Sequence, residues 1–306
     1  MSRVLLTGAT GFVGRQALDV LAHAGHEVHA VSRKRGSDRP GVIWHEADLL
    51  AGSEVIFEVE PEVLLHLAWY AEHGLFWTST ENVRWVEASL ALVRAFVAVG
   101  GRRAVLAGTC AEYEWSREVY REDAALHPSS LYGASKHGLH VVASALAAQA
   151  GMSLAWGRLF FLYGPHEAPG RFVPSLVRAL LAGERAPMTE GSQRRDFLHV
   201  ADAGAAFAAL VDSPVSGAVN VASGDGVRLR DLATLIARHT GSPELLDIGA
   251  MPQREDDPSA IVAVVDRLRG ELEWQPRIAL EDGVRETVAW WRARMLPPTE
   301  HLRATH

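Results

Sequence analysis

The sequence predicts an α/β protein, with a doubly wound parallel sheet first and a smaller α+β lobe toward the C-terminus. Three observations carry this reading. Short apolar runs alternate with stretches of helical period through the first half of the chain; glycines cluster directly after the first run; and beyond Gly164-Pro165 the pattern turns irregular and is broken by Pro187, Pro214, Pro252 and Pro276. Strands buried on both faces read as unbroken apolar runs, and alternating them with helices builds a parallel sheet covered on both sides. Residues 3–7 are the first strand, and Phe12 to His23 carries apolar side chains at helical spacing. Further strands are read at 27–31, 42–44, 63–67, 104–107 and 154–159, with helices near 82–98 and 131–149. Later helices are expected near 172–182, 201–211, 228–239 and 281–294.

Composition narrows the function classes. A chain of 306 residues buries a large core without disulfides, and its one cysteine, Cys110, has no internal partner. A net charge of -7 at pH 7 disfavours nucleic acid, which needs a concentrated basic face. No stretch reaches the roughly 20 apolar residues of a membrane span, and the opening run is too short for a signal peptide, so a cytoplasmic protein is expected. His23, His26 and His29 straddle a helix end and a strand without a shared face, so no metal site is expected.

Gly8, Gly11 and Gly14 form GxxGxxG between the first strand and the first helix, with Thr10, Phe12 and Val13 between them. The first glycine permits a tight turn, the second lets backbone approach a pyrophosphate, and the third allows close helix–strand packing. The helix N-terminus then offers unpaired N–H groups to the anion. The reading is a Rossmann-type dinucleotide turn of the short-chain dehydrogenase variety. At the end of the second strand Ser32 stands where an acid would bind an unphosphorylated ribose, followed by Arg33 and Lys34. That favours NADPH, with NAD possible, although a solvated basic loop would leave the same residues.

Tyr132 and Lys136 form YxxxK on a helix, an i,i+4 pair on one face. An adjacent ammonium and an oxidised nicotinamide would favour the tyrosinate and bring the phenol toward working pH. Thr109, at the carboxyl end of strand 104–107, supplies a second hydroxyl where open α/β sheets bind ligands.

With these motifs in order, the chain resembles the extended short-chain dehydrogenase/reductase family, the epimerases, dehydratases and reductases of nucleotide-sugar metabolism. The resemblance spans almost the whole chain and adds His66-Leu67-Ala68, Asn82, residues 158–165, 193–200, 254–258 and 266–276. It implies that Tyr132 is the acid/base, Lys136 holds the nicotinamide ribose, and Thr109 orients the substrate oxygen. It further implies that Asp48 and Leu49 contact adenine and that Leu67, Ala68, Trp69 and Phe160 line the cofactor. Cys110, Glu112, Phe161, Phe172, Arg195 and Arg254 fall on the substrate side, the two arginines clasping a diphosphate. Trp69-Tyr70 and Phe76-Trp77 flank a loop after a strand end, where they line the substrate pocket, pack in the core or make a dimer contact. Residues 1–160, with a return at about 195–222, become the cofactor unit; about 161–194 and 223–298 become the substrate lobe; 299–306 is a polar tail. The apolar helix from Val83 to Val99 implies a homodimer, although burial in the monomer would leave the same pattern.

Two departures shape the expected activity. The acidic pair that follows the threonine in sugar dehydratases is Cys110-Ala111 here, with Glu112 one place late, and Phe161 replaces a substrate-contacting asparagine. The expectation is an NADPH-dependent reductase of a nucleotide-linked 4-keto sugar, with an NAD-dependent 4-epimerase as the alternative. A non-catalytic dinucleotide sensor is the third reading, disfavoured by an intact proton donor.

Overall fold

The computed structural model describes residues 1–254 and 256–295. Seven strands form the large sheet: β1 (Arg3–Thr7), β2 (Glu27–Ser32), β3 (Val42–Glu46), β4 (Val63–His66), β5 (Arg103–Thr109), β7 (Ser153–Leu159) and β11 (Gly217–Val221). Their order is β3-β2-β1-β4-β5-β7-β11, and every pairing is parallel. The chain therefore winds one way from β1 to β3 and the other way from β4 onward. Between β1 and β4 the winding reverses, which opens a crevice at the strands' carboxyl ends.

Strand alternation sorts the core. Val4 and Leu6 of β1 face α1 (Gly14–His23) and α6 (Val200–Asp212), among Leu18, Leu21 and Phe207. Leu5, between them, faces the opposite layer with Leu64, Leu106, Leu92, Phe96 and Leu139, which belongs to α3 (Glu81–Ala98) and α4 (Leu131–Ala150). Each fully buried leucine contributes about 1.5–3 kcal/mol relative to exposure, so a one-residue slip of β1 would forfeit several of them at once. α4 starts where the Ser130 hydroxyl accepts the Gly133 N–H at 3.1 Å, and ends at Gly151 with φ +65°. That start places Tyr132 and Lys136 in its first two turns.

A second sheet runs β12 (Gly226–Arg228), β10 (Arg194–His199), β14 (Ala260–Ala263) and β6 (Val119–Tyr120), and β8 (Phe161–Tyr163) also pairs with β10. A two-stranded sheet joins β9 (Ala186–Met188) to β13 (Leu246–Ile248). α5 (Phe172–Leu181), α7 (Leu229–Thr240) and α9 (Leu280–Met295) enclose a third cluster around Tyr163, Val177, Ile236 and Val288. Within residues 195–222, β11 closes the edge of the large sheet and α6 lies against α1, whereas β10 is central to the second sheet. The elements β6, β8, β9, β10, β11, β12, β13, β14, α2 (Val55–Val59) and α8 (Asp266–Gly270) have no counterpart in the sequence reading. At two to six residues they are too brief for periodicity to register, and the strands among them are held by pairing with distant segments. Among the described residues no helix is long and apolar enough to cross a membrane. The tail at 299–306, residues 296–298 of the lobe and Glu255 lie outside the described residues.

Candidate active site

The glycine turn has the shape a dinucleotide needs. Gly8 has φ +71°, and a Cβ there would stand 2.7 Å from the Ala68 nitrogen, so both conformation and space require glycine. A Cβ on Gly14 would lie 2.0 Å from the Gly8 carbonyl, which itself accepts the Gly11 N–H at 2.8 Å. No side chain caps α1 at Val13, and within the turn the Arg15 N–H bonds the Gly11 carbonyl at 3.2 Å and the Gln16 N–H the Val13 carbonyl at 3.0 Å, so what α1 offers an anion is the positive end of its dipole. Thr10 and Gly11 are exposed at the turn, with Phe12 and Val13 half-buried behind them. Arg15 fastens this turn to the far lobe: its guanidinium donates to the Thr10 carbonyl at 2.8 Å and meets His166 Nδ1 at 2.9 Å. At the end of β2 the Ser32 hydroxyl donates to the Lys34 carbonyl, and Arg33 stands exposed with no side-chain partner among the described residues. Asp48 accepts the Leu50 N–H at 3.0 Å beside buried Leu49. Leu67, Ala68 and Trp69 continue from β4, half-buried at the crevice.

Beneath the crevice, His66 is sealed between Thr7 Oγ1 at 2.7 Å and Ser89 Oγ at 2.8 Å. Burial, then the charge of Lys136, push its pKa down to about 3, so it is a neutral strut that pins β4 to β1 and α3.

Tyr132, Lys136 and Thr109 converge at the carboxyl end of β5. Lys136 Nζ donates to the Ala107 carbonyl at 2.8 Å and lies 3.8 Å from the centre of the Trp69 ring. Burial lowers its pKa to about 7, with Glu112 acting in the opposite sense. Tyr132 is pushed up to about 12 by burial, opposed by a side-chain hydrogen bond with Thr109. The sequence expectation that Lys136 draws the phenol down does not hold in the chain alone. The ammonium is spent on a carbonyl and an indole face, and the same dry surroundings disfavour charge on both groups.

Glu112 and Phe160 turn out differently from expectation. Glu112 is fully buried: Oε1 accepts the Thr109 N–H at 2.8 Å and Trp156 Nε1 at 2.9 Å, and Oε2 accepts Arg158 Nε at 2.9 Å. Desolvation lowers the pKa of Arg158, but Glu112 and Tyr113 more than offset it and the guanidinium ends above its ordinary value. Glu112 is thus a core ion pair behind Thr109 rather than a substrate contact, since its one-place shift turns it inward. His137 and His140 bring donor atoms within 4.8 Å of it, yet hydrogen bonds from Thr109, Trp156 and Arg158 already occupy the carboxylate, which disfavours a cation there. Phe160, expected against the cofactor, packs in the core beside Tyr113. Cys110 is buried with its thiol pushed up to about 12 by burial, so it is an inert wall.

On the substrate side, Arg195 is almost fully buried, donating to the carbonyls of Arg194 and Pro258 at 2.9 Å each and pairing with Asp257. Its fork is already occupied, so it does not stand free for a diphosphate. Arg254 is exposed and pairs with Asp256 at 2.9 Å. Phe161 is half-buried, 5.6 Å from the Arg195 guanidinium and 5.9 Å from the Phe197 ring, and Phe172 packs on the lobe cluster.

Phe76 and Trp77 were read as pocket lining, core packing or a dimer contact, and the structure sets them against Tyr132, whereas Arg171 and Glu167 escaped the sequence. Phe76 meets the Tyr132 ring edge-on at 4.9 Å and Trp77 does so at 5.8 Å, with Trp115 beyond at 6.2 Å, so the phenol sits in an aromatic wall. Arg171, just ahead of α5, lies 5.4 Å from the Phe76 ring, has no ion pair among the described residues, and its charge reaches Tyr132. Glu167 is buried with one carboxylate oxygen unpartnered, and burial pushes its pKa up to about 8 despite Arg171. The sequence showed Phe76 and Trp77 as a pair near a strand end; nothing in it marked Arg171 or Glu167, whose proximity to the site depends on how the lobe folds back.

The sequence pattern of the NAD-dependent epimerase/dehydratase family matches residues 4–222. The chain belongs to that family. It is an enzyme of the extended short-chain dehydrogenase/reductase type. UDP-glucose 4-epimerase of Corynebacterium glutamicum is 27% identical over 90% of this chain and 91% of its own length. UDP-glucuronic acid decarboxylase 1 of Xenopus tropicalis is 28% identical over 96% of this chain and 73% of its own. Among solved structures, MoeE5 in complex with UDP-glucuronic acid and NAD is 29% identical with a TM-score of 0.84, covering 96% of this chain and all of MoeE5. UDP-glucose 4-epimerase of Thermotoga maritima shares the fold at a TM-score of 0.85 and 22% identity over 96% of this chain and 100% of its own.

Proposed function

We propose that this family member is an NADPH-dependent reductase of a nucleotide-linked 4-keto sugar, of the 6-deoxyhexose kind. The observation that carries the reading is the proton inventory around Thr109: a phenol, a hydroxyl and an ammonium converge there, and the carboxylate behind Thr109, Glu112, is not free to remove a second proton. Cys110 and Ala111 carry no acid, and Glu112 is tied to Arg158. Such a site supports hydride and proton exchange at one carbon but not loss of water. Bound in the crevice, the nicotinamide would supply the hydride. The glycine turn, Lys136, Trp69 and the end of β2 would hold the coenzyme, with Arg33 free for a 2′-phosphate. Tyr132, its pKa held high, stays protonated at neutral pH and donates to the oxygen that gains charge, while Thr109 hydrogen-bonds that oxygen. The aromatic wall excludes water from this transfer, and Arg171 with Glu167 supplies polar contacts for the sugar. Exposed Val83 of α3 with Val141 and Val142 of α4 support a homodimer through these helices, and the lone cysteine fits a cytoplasmic setting.

The test is NADPH absorbance with dTDP-, CDP-, GDP- and UDP-linked 4-keto sugars. Turnover with one of them that Tyr132→Phe sharply reduces, at unchanged coenzyme affinity, is expected; coenzyme binding without turnover on any would overturn the reading. The near full-length alignment with a UDP-glucose 4-epimerase favours a second reading, an NAD-dependent 4-epimerase using the same three residues. Coenzyme that survives gel filtration on the purified protein would favour it.

A further inference from the structure

Lys136 is held by something the YxxxK motif does not contain. Its ammonium has one hydrogen-bond acceptor on β5, the Ala107 carbonyl, and its other face is covered by the indole of Trp69. That indole is itself fixed: Trp69 Nε1 donates to Asn82 Oδ1 at 2.9 Å, and Trp85 leans on the ring at 6.2 Å. Asn82 is fully buried and spends its amide group as well, donating to the carbonyls of Phe76 at 2.7 Å and Ser79 at 2.8 Å. Phe76 is the ring set edge-on to Tyr132, and the carbonyl of its neighbour Trp77 accepts the Tyr132 N–H at 3.2 Å. One side-chain amide therefore ties the indole lying on Lys136 to the segment lying on Tyr132.

We propose that Trp69, anchored by Asn82, is a positioning residue that holds the Lys136 ammonium in place, and that the same anchor sets the aromatic wall on Tyr132. An ammonium removed from water keeps its charge only if its neighbours replace hydration, and an aromatic face does so through its quadrupole. The other charged or titratable groups around Lys136 are few. Glu112, following β5, favours its charge; His66 at the end of β4 is neutral; Tyr132 on the same helix is protonated. From α3 the side chains that reach this region are Asn82, Trp85 and Ser89, all uncharged. Trp69 is thus the aromatic face that offsets the loss of solvent. The proposal rests on Lys136 belonging to the reactive set, but its test requires neither coenzyme nor sugar.

The chain has only two lysines, Lys34 and Lys136, so carbon-13 labelling of lysine gives two signals, with exposed Lys34 as internal reference. Titrating the Lys136 Cε shift in the full chain should give a midpoint near the value of about 7 set by burial. Trp69→Leu keeps the site dry but removes the ring face, and should lower that midpoint by about one pH unit, a tenfold change in acidity. Trp69→Phe, which keeps a face, should restore most of it. Asn82→Leu should follow Trp69→Leu, whereas Asn82→Asp keeps the acceptor oxygen and should not lower the midpoint. A midpoint unmoved by Trp69→Leu, or moved equally by Trp69→Phe, overturns the proposal, as does Asn82→Leu leaving it at the wild-type value. Should the chain reduce no keto sugar, these titrations stand unaffected, so the two readings fail separately.

Discussion

Replacing Glu112 by glutamine takes one charge from a pair that water cannot reach. Its carboxylate and the Arg158 guanidinium are 0% and 1% exposed, and 2.9 Å apart. Removing one partner of such a pair strands the other charge, typically at a cost of about 3–5 kcal/mol. Unfolding entropy of about 2.1 cal/mol/K per residue, over 306 residues, converts that loss into a drop in Tm of roughly 5–8 °C. Calorimetry on wild type, Glu112→Gln and the double variant Glu112→Leu/Arg158→Leu measures it. The double variant should lose less than the single one, because apolar replacement of both charges leaves neither stranded. Thr109 should suffer too, since its backbone N–H leans on the same carboxylate, so activity falls together with Tm. A glutamine variant that loses activity at wild-type Tm would refute the argument and return Glu112 to the substrate.

Other consequences are as concrete. Arg33→Ser should weaken NADPH binding about tenfold to hundredfold, the worth of one or two charge-assisted hydrogen bonds, and leave NADH binding unchanged in calorimetric titration. Equal loss for both coenzymes would remove Arg33 from the 2′-phosphate. Arg171→Met should raise the KM for the sugar about tenfold while NADPH affinity stays put, because its guanidinium reaches the phenol's surroundings and not the glycine turn. His66 is neutral when folded, with a pKa of about 3, and titrates near 6.5 once unfolded. The stability tied to it is therefore complete above pH 6.5 and is lost as pH falls toward 3, by about 1.4 kcal/mol per pH unit within that window. Urea unfolding at pH 7, 6 and 5 should show that slope in wild type and a shallower one in His66→Gln.

The strands of the large sheet other than β11, and the longer helices beside them, were legible because buried parallel strands and amphipathic helices write their periods into the chain. Gly8 and Gly14 were legible for a related reason: a turn pressed against backbone admits no Cβ, and that demand falls on single residues at fixed spacing. Thr109, Tyr132 and Lys136 were legible as motifs on neighbouring elements of one crevice. What the sequence could not determine is which charges remain free. Arg195 and Glu112 read as substrate contacts, yet each is consumed by a partner, Asp257 or Arg158, that lies 62 or 46 residues away. Arg171 and Glu167 are silent in the chain and gain meaning only when the loop before α5 is brought toward Tyr132. Local period records whether a side chain faces inward; the partner it meets there is set by contacts between distant segments, and only the tertiary structure decides them.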